Sequence, residues 1–161
     1  MPGGVTDTDR GLKLLLRNLK DVAKGRALTV GVHGPEGEAR HEDPGGKSNL
    51  TVLDIAVIHE YGLGFNPERS FIRDWYDSKR SEHEAKLAAI VTEVLKGTYD
   101  IDTGLGRLGA LFQGEIQARI SAGIPPPLSP ITIAWKESST PLINTGQLRS
   151  SILWKVTRED K

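Results

Sequence analysis

The stretch LKLLLRNLKDVAKGRALTVGVH, residues 12–33, changes its hydrophobic period partway along, and that change decides the fold class. Leu12, Leu15, Leu16, Leu19 and Val22 fall at helical spacing, with Arg17, Asn18, Lys20 and Asp21 on the other face. Gly25 stops that helix. Leu28, Val30 and Val32 then alternate with Thr29, Gly31 and His33, the period of a strand with one buried face. Upstream, residues 1–8 read as a ragged leader, with Thr8 or Asp9 placed to cap the helix.

Downstream, GPEGEARHEDPGGKSN (34–49) is rich in glycine, proline and charge and holds no aliphatic residue larger than Ala39. Nothing in it offsets the entropy of ordering, so the expectation is a long exposed loop. Loops of that length in compact domains are usually functional or disordered. Thr51 opens the helix VLDIAVIHEYG, whose apolar residues wrap most of its surface and predict burial on nearly all sides. Gly62 and Gly64 end it, and Asn66-Pro67 marks a turn.

Ser70 is placed to cap a long helix running to about Lys96. Phe71, Ile72, Trp75 and Tyr76 anchor its start, and Leu87, Ile90, Val91 and Val94 its end, around the charged DSKRSEHEAK (77–86). Thr103 starts another helix, with Leu105, Leu108, Phe112, Ile116 and Ile120 on one stripe, stopped by Gly123. Pro125 to Pro127 form a stiff connector. Ser129-Pro130 then opens a short helix, ITIAWKE. After Pro141, a turn around Asn144 to Gly146 leads to a last strand. There Ile152, Trp154 and Val156 alternate with Leu153, Lys155 and Thr157. The expectation is an α+β fold: a small antiparallel or mixed sheet packed against several helices, one of them long. Without linker or repeat, residues 1–161 read as a single domain with the 34–49 loop exposed.

Composition narrows the function classes. Hydrophobic residues at 37% and charged residues at 26% are those of a soluble globular chain, not a membrane-embedded one. Lys plus Arg (21) balances Asp plus Glu (21), which argues against nucleic acid as the main partner. A neutral chain is also poorly defended against self-association, which suits a subunit meant to assemble. The absence of cysteine excludes disulfides and thiolate metal sites. Apolar runs such as Leu14–Leu16 and Ile55–Ile58 are too short to cross a bilayer. The first ten residues lack a signal peptide's basic and apolar blocks, so synthesis in the cytosol is expected.

Candidate chemistry is sparse. His59-Glu60 begins like a zinc-peptidase helix, but no second histidine follows one turn on. His33, His41 and His83 sit on a strand edge, a loop and a charged helix, so no metal ligand set is expected. His59 reads as a packed or hydrogen-bonded helix-end residue. No serine lies in a Gly-x-Ser-x-Gly turn. Asp100 and Asp102, in a polar connector, suit solvated or capping roles better than acid–base work. Gly34–Gly37, Gly45-Gly46 and Gly104–Gly109 lack the Lys-Ser/Thr of a phosphate loop or the preceding strand of a dinucleotide site. The expectation is therefore no catalytic residue, no cofactor and no metal. A small metal-dependent hydrolase using His59 and Glu60 stands as the competing class, and a DNA-contacting protein as a third.

Two stretches carry a further pattern. One is Ile58-His59-Glu60-Tyr61-Gly62 followed by Asn66-Pro67-Glu68-Arg69-Ser70-Phe71-Ile72-Arg73. The other runs Pro126-Pro127-Leu128-Ser129-Pro130-Ile131-Thr132, Lys136, then Pro141-Leu142-Ile143-Asn144-Thr145-Gly146-Gln147-Leu148-Arg149-Ser150-Ser151-Ile152. Together they resemble the neck, tail-completion and virion-morphogenesis proteins of tailed bacteriophages and prophages. The motifs cover about a third of the chain, and they occur in the family's order. Family members often carry a second proline where Ser70 stands, and the 34–49 loop has no counterpart.

The resemblance implies a structural virion protein without enzymatic activity, made in the bacterial host cytoplasm and resident in the virion's tail or neck. Its copies would form a ring, sixfold by that likeness, completing the tail tube and allowing head joining. Its partners would be itself, the tail tube protein and a head–tail connector or tail terminator protein. No membrane and no sequence-specific nucleic acid are implied, although DNA would pass through the lumen. A head-side connector or stopper is the alternative within the class. The residues expected at the interface are Arg40, His41, Glu42, Asp43 and Lys47 in the loop, with Arg69, Arg73, Lys79, Arg80 and Glu84 around the charged helix.

Overall fold

The computed structural model describes residues 11–42, 49–130, 133–134 and 146–158. The expected leader with its Thr8 or Asp9 cap, loop residues Asp43 and Lys47, and the turn residues Asn144 and Thr145 lie outside them. So does most of the short helix expected after Ser129, although residues 130, 133 and 134 are helical.

The elements run α1 (Leu12–Val22), β1 (Arg26–Val32), α2 (Gly34–Glu38), α3 (Val52–Tyr61), α4 (Arg73–Ser78), α5 (Arg80–Lys96), α6 (Ile101–Ala122), α7 (Gln147–Ser150) and β2 (Ile152–Arg158). The architecture is α+β, as the alternating periods predict. β1 and β2 form an antiparallel pair with Leu28 opposite Val156, Val30 opposite Trp154 and Val32 opposite Ile152. Both expected strands are present in the expected phase, because one buried face fixes the register.

Helix α6 is the hub, touching both strands on one side and α5 on the other. Its stripe is the one the sequence predicts: Leu105, Leu108, Ile116 and Ile120 are buried, with Phe112 packed against them. The Gly104–Gly109 cluster explains how the sheet approaches so closely. A Cβ on Gly109 would lie 2.8 Å from Trp154 Cγ and 2.9 Å from Leu28 Cδ1, so only glycine admits the indole. The main core gathers Val52, Ala56, Phe71, Trp75, Ile116, Ile120, Ile124, Leu148 and Ile152. A second cluster of Val94, Ile101 and Leu105 sits where Val22, Leu28 and Val156 meet the α5–α6 junction.

Several local expectations are corrected. The long helix from Ser70 is two helices, because Lys79 leaves helical geometry (φ −125°, ψ 19°) and its N–H bonds back only to Tyr76 O. Ser70 is not the N-cap of the first, which is Ile72, although its hydroxyl accepts the N–H of Asp74 at 3.0 Å. Helix α6 begins before Thr103: the Asp100 carboxylate accepts the Thr103 N–H at 2.7 Å, which puts Ile101 and Asp102 in the first turn. The 34–49 segment is not all loop. Pro35 at the front of α2 preorganises a short helix, whose Gly37 is buried against α3.

The largest correction concerns α3. Thr51 and Asp54 cap it reciprocally, as a good helix start should, but only Val52, Ala56 and Glu60 are buried. Leu53, Val57 and Tyr61 form a stripe that faces solvent.

Candidate functional site

Glu60 is buried at the C-terminal end of α3, and the turn that follows wraps around its carboxylate. Gly62 lets the chain fold back at φ +64°, where a Cβ would meet Glu68 N at 2.7 Å. The carboxylate then accepts the Ser70 hydroxyl at 2.6 Å, the Phe71 N–H at 2.9 Å, the Ile72 N–H at 3.1 Å and the Arg73 N–H at 2.9 Å. Those are the orphan donors at the start of α4, so Glu60 is a capping anion supplied from another helix. The Arg73 guanidinium returns to the Glu60 carbonyl and lies over the Tyr61 ring. The carboxylate of the would-be His-Glu pair is fully engaged in holding a turn.

A cleft of about 550 Å³ opens beside this turn, lined by Glu68, Ser70, Arg73, Asp74, Asp77, Arg119, Ile124 and Pro125. Four of its charges are paired, Arg73 with Glu68 and Arg119 with Asp74, and Asp77 adds a further carboxylate. The Ser70 proton is committed to Glu60, and no histidine enters the lining. Among the described residues no three acidic or histidine side chains converge to hold a metal ion.

The expected interface residues divide into two groups. Arg40, His41 and Glu42 stand at the N-terminal end of α3, where Arg40 bridges to Thr51. Gln147 clamps this segment, donating to the Arg40 carbonyl at 2.9 Å and accepting the Glu42 N–H at 2.9 Å. Arg73 belongs to the other end of α3, beside Glu60 and Tyr61, and Lys79, Arg80 and Glu84 follow at the start of α5. Arg80 and Glu84 form an exposed i,i+4 pair at 3.0 Å, and Glu84 with its neighbours raises the Arg80 pKa. Asp43 and Lys47 lie outside the described residues.

Arg69 is corrected. It is buried at 4% exposure, and its guanidinium donates to the Pro126 carbonyl at 2.7 and 3.0 Å, with burial lowering its pKa. A side chain sealed in this way staples the α3–α4 turn to the polyproline connector and is not part of a surface rim. The two motif stretches are thus joined at Arg69 and Pro126.

What sequence reasoning missed is the apolar surface. No residue of α1 is buried. The helix rests on α5 through Leu14, which approaches Gly97, and Asn18, which donates to the Val94 carbonyl at 2.9 Å. Its expected core face instead looks outward, with Leu12 62% and Leu19 51% exposed. The α3 stripe continues into Leu63 and a wholly exposed Phe65. Five leucines in eleven residues was the available signal: more apolar surface than a small sheet and α5 can cover.

No protein-family model, curated protein or solved structure matches this chain.

Proposed function

We propose that this chain is a structural subunit without catalytic activity, one of several copies in a ring at the tail end or head–tail junction of a tailed-phage particle. There it completes the tail tube and prepares it for head joining. The observation that carries the reading is the uncovered apolar surface on two separate helices, α1 and α3. Burying a leucine fully is worth about 1.5–3 kcal/mol, so two such stripes left in water favour association with something. Two different patches on one chain suit a head-to-tail contact, which closes into a ring when the rotation permits.

Further support comes from the family-like motifs, whose residues form the turn, staple and clamp of the fold. Glu60 caps α4, Arg69 holds Pro126, and Gln147 pins the 40–42 segment. The edges of the two-stranded sheet and the charged residues Arg40, His41, Glu42, Arg73, Lys79, Arg80 and Glu84 complete the proposed contact set, with Asp43 and Lys47. The tail tube protein and a connector or terminator protein are the neighbours proposed on the ring's two faces.

Deleting the gene from the phage or prophage that carries it tests this directly. Electron micrographs of the lysate should show filled heads and separate tails, and supplying the chain in trans should restore joined particles. Normal particles from the deletion would overturn the reading.

A further inference from the structure

We propose that the leucine face of α1 on one copy seats on the Leu53–Val57–Tyr61 stripe of α3 on the next copy, an inference that rests on the ring reading and specifies its contact. Leu12, Leu15, Leu16 and Leu19 are all exposed and fall on one side of α1. Leu53, Val57 and Tyr61 are spaced four apart and exposed along α3. The two helices, of eleven and ten residues, present stripes of nearly equal length, about 16 and 15 Å. Side chains three and four apart form ridges of the kind that pack into the grooves of a second helix.

Charge decides which surface meets which. The α1 leucines are bordered by Lys13, Arg17, Lys20 and Lys24, all exposed. Among the described residues of α1 the one carboxylate, Asp21, is already turned to Lys24 and Arg26. The Leu53 end of the α3 stripe is bordered by acids instead, while at its Tyr61 end Arg73 lies over the ring and is paired with Glu68. Gly37 lies against Leu53, which sets Glu36 and Glu38 of α2 at that end, and Asp54 follows on α3 itself. Pairing α1 with α1 would bring basic rows together, and a parallel pairing of α3 with α3 would bring the acids of the Leu53 ends together, both unfavourable. The unlike pairing satisfies charge and apolar surface at once. Within one chain α1 packs on α5, whereas α3 packs on α2, β1 and α7, so the acceptor stripe belongs to a second copy.

The test uses the purified full chain in sedimentation velocity over a concentration series. Wild type should self-associate. Leu16→Glu with Leu19→Glu, and separately Leu53→Glu with Val57→Glu, should each stay monomeric, with circular dichroism spectra like wild type. Mixed together, the two variants should form a one-to-one dimer and nothing larger, because each retains one intact face. Leu16→Ala with Leu19→Ala, a milder change, should weaken association at least about tenfold. Arg17→Glu with Lys20→Glu should also weaken it about tenfold, with recovery on mixing with Glu36→Lys, Glu38→Lys chains.

Rings that persist in the α1 variants would overturn this docking and leave the phage-ring reading standing, since the gene deletion tests that separately. Wild type that remains monomeric throughout would overturn the docking too. So would a wild-type chain that binds phosphatidylglycerol vesicles through α1 in place of its own copies, because a basic amphipathic helix can also lie on an anionic lipid surface.

Discussion

The Glu60 carboxylate receives the backbone N–H of Phe71 at 2.9 Å, joining the end of one helix to the start of another across eleven residues. Three further donors from the same turn converge on it. Glu60→Ala would leave buried amides without an acceptor, and the expected loss is about 3 kcal/mol. Glu60→Gln keeps one acceptor oxygen and should lose less. Urea unfolding checks both. A Glu60 reserved for chemistry would leave stability unchanged when replaced by glutamine.

Arg69 makes a forked contact that lysine cannot copy. Arg69→Lys should therefore destabilise nearly as much as Arg69→Ala, by about 2–4 kcal/mol, because the Pro126 carbonyl loses its donors. Thermal unfolding of the two variants side by side tests this. A lysine variant equal to wild type would mean that charge alone, and not the fork, holds the connector.

Two glycines in α6 should respond in opposite directions. Gly109→Ala drives a methyl into Trp154 and Leu28, so the expected cost is about 1–3 kcal/mol. Gly114 has nothing within 4 Å of where its Cβ would stand. Gly114→Ala should stabilise the helix by about 0.5–1 kcal/mol through backbone entropy alone. Equal effects at the two positions would contradict the close approach of the sheet.

Lys86 bridges Glu82 at 2.7 Å and Glu115 at 2.8 Å, and Glu115 also accepts the Trp75 indole N–H at 2.9 Å. Burial pushes the Glu115 pKa up, but the bonds from Lys86 and Trp75 outweigh it and hold the pKa below the ordinary glutamate value. Bonds from Glu115 and Glu82 raise the Lys86 pKa. A lowered carboxylate pKa gives stability that is present above the unfolded value and lost as pH falls through the folded one. A raised lysine pKa gives stability that is lost only as pH rises through its folded value. Glu115→Gln should therefore flatten the acid limb of a stability–pH curve and also shrink the alkaline limb, where Glu82 alone still raises the Lys86 pKa. Lys86→Met should reduce both limbs.

Much of the fold was legible because periodicity encodes which face is buried. The strands around Val30 and Trp154 and the α6 stripe came through for that reason. The break at Lys79 did not, since nothing in DSKRSEHEAK forbids a continuous helix. Glu60 was also unreadable, because a carboxylate can cap a helix ten residues away without leaving a local pattern. The α1 and α3 stripes expose a different limit. Spacing identifies an apolar face, but it does not say whether that face is covered by the same chain. Arg69 was mistaken for a rim charge for a similar reason, its acceptor lying in the polyproline connector far along the chain.

Thr29 and Lys155 stand together in the sheet although 126 positions separate them. During synthesis β1 leaves the ribosome long before β2, so the nascent chain carries an unpaired strand while the helices between them are made. Loop closure over that span is slow and exposes a sticky edge meanwhile. Nascent chains stopped before residue 152 should thus be protease-sensitive and chaperone-bound, which makes the arrival of β2 the event that closes the sheet.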